Sequence, residues 1–439
     1  MKNRKIYIVH AVDTEGPLNE SLKSTFERIY ELFGLRFKNK NRETLNNLRR
    51  GLLKNKKINL EKLKKTINPH LLNYNRSWKD INKMLQKINK KDFRNAILDS
   101  NGNGWKFSWH CVDHVDYKIN PRKRTLGYHK IFDFYSKYIK KNNDKVHFHF
   151  HPMSTYKEAH RNAKSYFNSP HLYQVISRRI IDRDWFPTAF RAGFHIERPD
   201  INLFLEQFIP FDLSNTSKIE KNKKKDLIGS RGFDWRRATK KWKIYNPHHD
   251  DYQIPGHCRR YIGRVLSIRN RVDSIDLKET LKAFKQANSG EKTMLAVTSH
   301  DFRDLGTEVE EVRGYLKKAM KKFPKVKIYF VDTAEAFRKV LNFSNKKKLK
   351  LKITKLKDNS FKISTIRGKV FGPQPFLAIK FKNGKYMSDN LDFGLDKKTW
   401  YYKFSKETVR PKDLQTIAVG ASDKFGNYDV RKYTIRKNR

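Results

Sequence analysis

A chain of 439 residues with 37% hydrophobic and 13% aromatic residues is too long for one ordinary core and has apolar material for two, which excludes a disordered or low-complexity polymer. The 97 Lys and Arg against 45 Asp and Glu leave a formal charge of +52, so composition favours polyanionic partners: nucleic acid, an anionic surface or an acidic glycan. Two cysteines, Cys111 and Cys258, exclude a disulfide framework and a paired-cysteine metal knuckle, and both read as packing residues.

The first apolar run, Ile6 to Val12, is interrupted by His10 and is followed by no small-residue cleavage site, so it reads as a strand. With no export signal and no stretch near the roughly 20 apolar residues of a membrane span, a cytoplasmic protein without a span is expected. Residues from about Leu18 to Arg94 are Lys-rich and helix-prone, with candidate helices at Glu20 to Phe33 and Trp78 to Lys87. They read as a helical insertion after the first strand, placed either to cover a site or as a structural insert.

Gly102-Asn103-Gly104 marks a turn, and further strands are expected at Lys106 to Cys111, Val146 to Phe150, Ala189 to Ala192, Phe211 to Leu213, Met294 to Thr298 and Lys327 to Val331. Amphipathic stretches alternate with them, and Thr155 with Glu158, Thr307 with Glu310 and Asp332 with Glu335 have capping-box spacing. Val309, Val312, Leu316 and Ala319 share one helical face, as a helix packed on a sheet requires. This order predicts an α/β unit over residues 1–342 whose parallel sheet is closed or nearly so.

After Asn342 a Lys-rich linker leads into Leu349 to Ile353, Ser360 to Ile366, Phe376 to Lys382, Thr399 to Phe404 and Thr416 to Gly420, punctuated by Asn383-Gly384 and Gly426-Asn427. Residues 343–439 are therefore expected to form an all-β sandwich, immunoglobulin-like around Ala418 to Asn427, acting as spacer, packing partner or glycan binder. The basic runs Lys54 to Lys57, Lys221 to Lys225 and Lys346 to Lys350 lack interleaved aromatics and any nucleic-acid module. Lysine spread through a chain also rich in Asn, Ile and Phe follows equally from a coding bias toward A and T.

The chemistry gathers in Val146-His147-Phe148-His149-Phe150-His151-Pro152. Strand alternation puts the three imidazoles on one face and both phenyl rings on the other, an arrangement suited to a metal or a bound anion. Pro152 stops the strand, so His151 lies at its carboxyl end, where parallel α/β folds assemble their sites. The first strand ends in the same way at Asp13-Thr14-Glu15-Gly16-Pro17, with two carboxylates beside a turn. Imidazole and carboxylate suit a borderline-soft divalent metal, with zinc the expected cofactor, and an open position admits water.

Asp13-Thr14-Glu15-Gly16-Pro17, His149-x-His151-Pro152, Arg191-Ala192-Gly193 and Thr298-Ser299-His300 occur in an order that resembles the motifs of the polysaccharide deacetylase superfamily, over residues 1 to about 340. The resemblance implies a distorted (β/α) barrel of about seven parallel strands. It also implies metal-assisted removal of an acetyl group from an N- or O-acetylated sugar of a surface polysaccharide or its precursor. On that pattern Glu15, His149 and His151 would hold the metal, Asp13 would be the base, Arg191 would orient it, and His300 would be the general acid. Thr14 separates the two carboxylates where many members have adjacent aspartates, so Asp13 and Glu15 are open to exchange of role. The usual spacing of four also fits His147 with His151, and Phe190-Arg191-Ala192-Gly193-Phe194 lacks the usual Arg-x-Pro, as in a divergent branch.

His147, His110, Asp113, His114, His249 and Asp301 are candidates for supporting or substrate contacts. Two polar clusters, one adding Asp116 after the second strand and one formed by His248, Asp250, Asp251 and His257 around His249, read as solvated loops, or as contacts to substrate or a second metal. No Gly-rich phosphate loop or serine elbow is present. The expected partner is a carbohydrate, acidic if the charge is functional. The competing expectations are a metal-dependent hydrolase of a small amide and a non-catalytic binder of acidic polymer or nucleic acid.

Overall fold

The computed structural model describes residues 4–52, 59–69, 74–218, 234–269, 274–344, 347–358 and 360–435. Seven parallel strands, β1 (Lys5–Thr14), β2 (Phe107–Cys111), β3 (Lys145–Phe150), β4 (Ala189–Ala192), β5 (Phe211–Asn215), β6 (Tyr261–Ser267) and β7 (Thr293–His300), follow one another around a barrel. It closes where His10 to Thr14 of β1 pair with Phe107 to Cys111 of β2. An eighth strand, β8 (Lys327–Phe330), pairs only with the first half of β1, Lys5 to Ile8.

The run expected at Lys327 to Val331 is this eighth strand, outside the closed ring, and β6, which the sequence reading lacked, fills the place between β5 and β7. No helix starts at Thr155, which lies in a turn, and the residue capping the helix before Thr307 is Asp304. Asp332 does cap its helix, accepting from Glu335 N.

Between β1 and β2 run α1 (Leu22–Phe33), α2 (Arg42–Arg50), α3 (Leu60–Thr66), α4 (Trp78–Ile88) and α5 (Lys91–Asn95). The first three share a small core of Phe26, Ile29, Leu45, Leu48, Leu63 and Ile67, while α4 lays Ile81, Leu85 and Ile88 on the barrel wall. The wall is completed by α6 (Lys130–Asn142), α7 (His171–Arg183), α8 (Pro199–Phe208), α9 (Leu277–Asn288), α10 (Leu305–Lys322) and α11 (Thr333–Val340). Among the described residues no helix is long and apolar enough to cross a membrane.

Alternation along the strands sorts the side chains. Tyr7, Val9 and Ala11 of β1 meet Leu213, Val265, Met294, Ala296 and Phe337 in an apolar lower interior, and Ile6, Ile8 and Val12 join the outer core. In β3, Phe148 and Phe150 join the outer core under α7 and α8, each buried ring contributing about 1.5–3 kcal/mol. The intervening histidines are thereby turned into the barrel, toward the carboxyl ends of the strands.

Strands β9 (Lys350–Lys355), β10 (Phe361–Arg367), β11 (Phe376–Phe381), β12 (Tyr386–Asp389), β13 (Asp392–Phe393), β14 (Thr399–Tyr402), β15 (Leu414–Ser422) and β16 (Tyr428–Thr434) form two antiparallel four-stranded sheets. Leu351, Ile363 and Trp400 of one meet Leu377, Ile379, Ile417 and Val419 of the other, as in a sandwich. The outer face of β11 and β15 packs Phe376, Ala378 and Ala418 against α7 and α8, and Tyr386 donates to Asp182 at 2.8 Å. The sandwich is docked on the barrel, not tethered beside it.

Candidate metal centre

The site forms where β1, β3, β4 and β7 end. Glu15 stands one residue beyond β1, where Gly16 adopts a left-handed φ of 73°. The buried Asp301 carboxylate accepts from Glu15 N and Gly16 N at 2.9 Å each and from the Tyr135 hydroxyl at 2.8 Å, which fixes this turn. On β3 the alternation that buries Phe148 and Phe150 turns His149 inward and places His151 just past the strand.

One donor atom each of Glu15, His149 and His151 lies within 4.8 Å of the others, and all three residues are buried. The two Nε2 atoms are 2.9 Å apart, and His151 Nε2 is 3.6 Å from Glu15 Oε1. His149 Nδ1 lies 2.8 Å from the Arg191 carbonyl, which can only accept, so Nδ1 carries the hydrogen and Nε2 presents its lone pair. His151 Nδ1 is buried with no partner among the described residues. Two imidazole nitrogens and one carboxylate oxygen so close together form a group able to hold a divalent metal.

Asp13 lies beside this group, with Arg191 Nε donating to its Oδ1 at 2.6 Å. Burial by itself raises the Asp13 pKa, but Arg191, His149 and His300 outweigh it and hold the carboxyl well below its usual range. Its other oxygen, Oδ2, is 3.8 Å from His300 Nε2, which is also 3.6 Å from Glu15 Oε1. His300, held neutral chiefly by burial, is still the most open of these side chains at 23% exposure. For Glu15, burial raises the pKa against the pull of Arg124 and His149. Arg124 Nη2 approaches Glu15 Oε2 at 2.7 Å, leaving Oε1 turned to the imidazoles.

The structure brings Asp13, Glu15, His149, His151, Arg191 and His300 together, with His149 and His151 as the pair and His147 apart. His147 lies one layer down, 3.6 Å from Asp332 and with its ring 5.1 Å from that of His110, which reaches Thr333 Oγ1 at 3.1 Å. His114 packs its ring edge-on to His151 at 5.5 Å. Asp113 turns away, accepting from Arg179 at 3.0 Å and from His129 N at 3.0 Å, and Asp301 serves the turn at Glu15. His249 is on an exposed loop, paired with Asp250 at 2.9 Å. Cys111 is buried, which pushes its thiol up to about 12, consistent with a packing role.

Two neighbours escaped the sequence reading. Arg124 comes from the loop after β2, where no periodicity marks it. His195, whose Nδ1 accepts from Arg191 Nη2 at 3.1 Å, sits four residues beyond Arg191, and that spacing was the only signal. Both Phe194 and His195 adopt left-handed backbone, at φ 52° and 57°, an arrangement that non-glycine residues adopt at strained, often functional positions. Lys54 to Lys57, Lys221 to Lys225 and Lys346 of the basic runs lie outside the described residues. No family model, curated protein or solved structure matches the chain.

Proposed function

We propose that this chain is a metal-dependent hydrolase of the polysaccharide deacetylase type, with zinc as its cation, that removes an acetyl group from an N- or O-acetylated sugar. The observation that carries the reading is the convergence of Glu15, His149 and His151 donors at the strand ends, with Asp13 and His300 alongside. A bound divalent cation supplies Lewis acidity to the acyl carbonyl and to water.

The protein's own groups supply the rest. Asp13 Oδ2, the oxygen not gripped by Arg191, takes the proton of an attacking water. His300 Nε2, 3.8 Å away, receives it and delivers it to the departing nitrogen or oxygen as the acyl bond breaks. A neutral imidazole suits this relay because it has a nitrogen ready to be protonated. Arg191 keeps the Asp13 carboxylate ionised and oriented.

Enclosure favours a second reading of the substrate, a small amide or a single acylated sugar unit. Glu15, His149 and His151 retain only 4%, 1% and 4% exposure, whereas a polymer needs an open groove.

Metal analysis and acetate release test the assignment together. One divalent ion per chain is expected, with acetate released from N-acetylated oligosaccharides or from small acetamides. Glu15→Gln should lose metal and activity, and Asp13→Asn should keep metal and lose activity. Protein that holds no metal, or whose hydrolysis survives His149→Ala with His151→Ala, would sink the reading.

A further inference from the structure

Beside Glu15 the barrel gathers cations that its own acids do not neutralise. Arg124 leans on Glu15, and the loop that carries it meets the start of the helical insertion, where Asn19 N donates to Arg122 O at 3.0 Å. There Arg28 donates to Glu20 at 2.8 Å, with both side chains almost fully buried. Three guanidinium groups thus share two carboxylates, and one of these, Glu15, belongs to the metal group.

Several of their hydrogens are also unspent, although Arg28 makes a further side-chain contact with Tyr74 and the Arg124 guanidinium lies over the Phe302 ring at 5.0 Å. Nε and Nη1 of Arg28, Nε and Nη1 of Arg124 and Nε of Arg122 are buried without a hydrogen-bond partner among the described residues. Arg28 and Arg124 are themselves more than nine-tenths buried, at 5% and 8% exposure. Leaving such donors unmet is costly, and charged ones the most so. The crowding of positive charge bears on Arg122 itself and on His160. Burial, then the proximity of Arg28, pulls Arg122 down to about 10, and burial, then Arg122 and Arg161, pushes His160 down to about 4.

We infer that Arg28, Arg122 and Arg124 form an oxyanion seat beside the metal centre, which holds a carboxylate, sulfate or phosphate group carried by the substrate. Planar guanidinium groups match the oxygens of such groups, and a bound oxyanion would give acceptors to unpartnered nitrogens of this cluster. That the anion belongs to a substrate rests on the hydrolase reading above; that an anion binds here does not. The proposal narrows the acetylated compound to an acidic one, such as a uronic acid or a sulfated or phosphorylated sugar.

The test is calorimetric titration of the full chain with sulfate, inorganic phosphate and glucuronate at constant ionic strength. Saturable binding of one anion per chain is expected for at least one probe, and the preferred probe identifies the group. Arg122→Gln should weaken it at least about tenfold, the effect of losing one charge-assisted interaction. Lys369→Met, on the exposed surface, should leave it unchanged. His149→Ala with His151→Ala should still bind the anion, which separates this seat from anion capture by a metal. If Arg122→Gln does not fold, Arg122→Lys should fold and weaken binding through loss of the fork, and undiminished binding there would overturn the seat. Absence of saturable binding to wild type, or equal weakening by Lys369→Met, would also overturn it. Anion binding by a protein without metal or hydrolysis would defeat only the hydrolase reading; hydrolysis without anion binding would defeat only this one.

Discussion

Arg191 serves His149 through its main chain and Asp13 through its side chain: its carbonyl lies 2.8 Å from His149 Nδ1, and its Nε donates to Asp13 Oδ1 at 2.6 Å. Both contacts follow from one strand register, in which His149 and Arg191 are partners across β3 and β4. The backbone contact sets the tautomer of a candidate ligand, and the side-chain contact sets the charge of the candidate base.

Because only the second contact depends on the side chain, Arg191→Lys should separate the two. Lysine keeps a positive charge but cannot also reach the Leu213 carbonyl and His195, as the guanidinium does. Metal content is expected to stay at the wild-type level while acetate release falls about 100-fold, within the range for a misplaced catalytic group. Asp13, less firmly held below its usual pKa, should also move the acidic limb of the pH–rate profile to higher pH. Loss of metal together with activity would show that the register does not separate the roles.

The inward histidine face was legible because alternation with Phe148 and Phe150 leaves one orientation that buries both rings. Asp13 and Glu15 were legible from the Gly16-Pro17 turn that ends β1. Strand β6 was not, because Gly263 and Arg264 interrupt its apolar run. The structure explains both residues: a Cβ on Gly263 would crowd Phe337 at 2.9 Å, and Arg264 is buried on Glu279 at 2.8 Å and the Ser217 carbonyl at 2.7 Å. A charge compensated by partners 15 and 47 residues away leaves no local signal. Arg124 was missed for the same reason, since its meaning comes from Glu15 at the end of the neighbouring strand.

Gly193 holds a position that sequence reading gave only as part of a motif. A Cβ there would stand 2.7 Å from His151 Cγ and 2.7 Å from the Phe150 carbonyl, and closer still to His151 Cδ2. Both obstacles are buried, and one is backbone, so the imidazole would have to give way. Gly193→Ala should therefore lower metal affinity about 10- to 100-fold, as disturbance of a ligand's support does. His149, anchored on the Arg191 carbonyl, should keep its place. Competition with a chromogenic chelator measures the affinity, and an unchanged constant would remove His151 from the ligand set.

Away from the centre, His10 makes stability depend on pH in a direction the structure fixes. The Trp105 indole can only donate, so its contact with His10 Nδ1 at 3.1 Å assigns the hydrogen to Nε2, which donates to Ser299 Oγ at 2.8 Å. Burial, helped by the charge of Arg94, lowers this histidine from 6.5 to about 3. The unfolded chain then binds the proton more readily than the folded one, so the stabilisation is present above pH 6.5 and is lost as pH falls toward 3. By pH 5 the loss should reach about 2 kcal/mol. Glutamine can accept from Trp105 and donate to Ser299 without titrating, so His10→Gln should lose about 2 kcal/mol less than wild type between pH 7.5 and 5. Urea unfolding at the two pH values measures the difference. Parallel losses in the two proteins would mean that His10 accepts its proton without opening the fold.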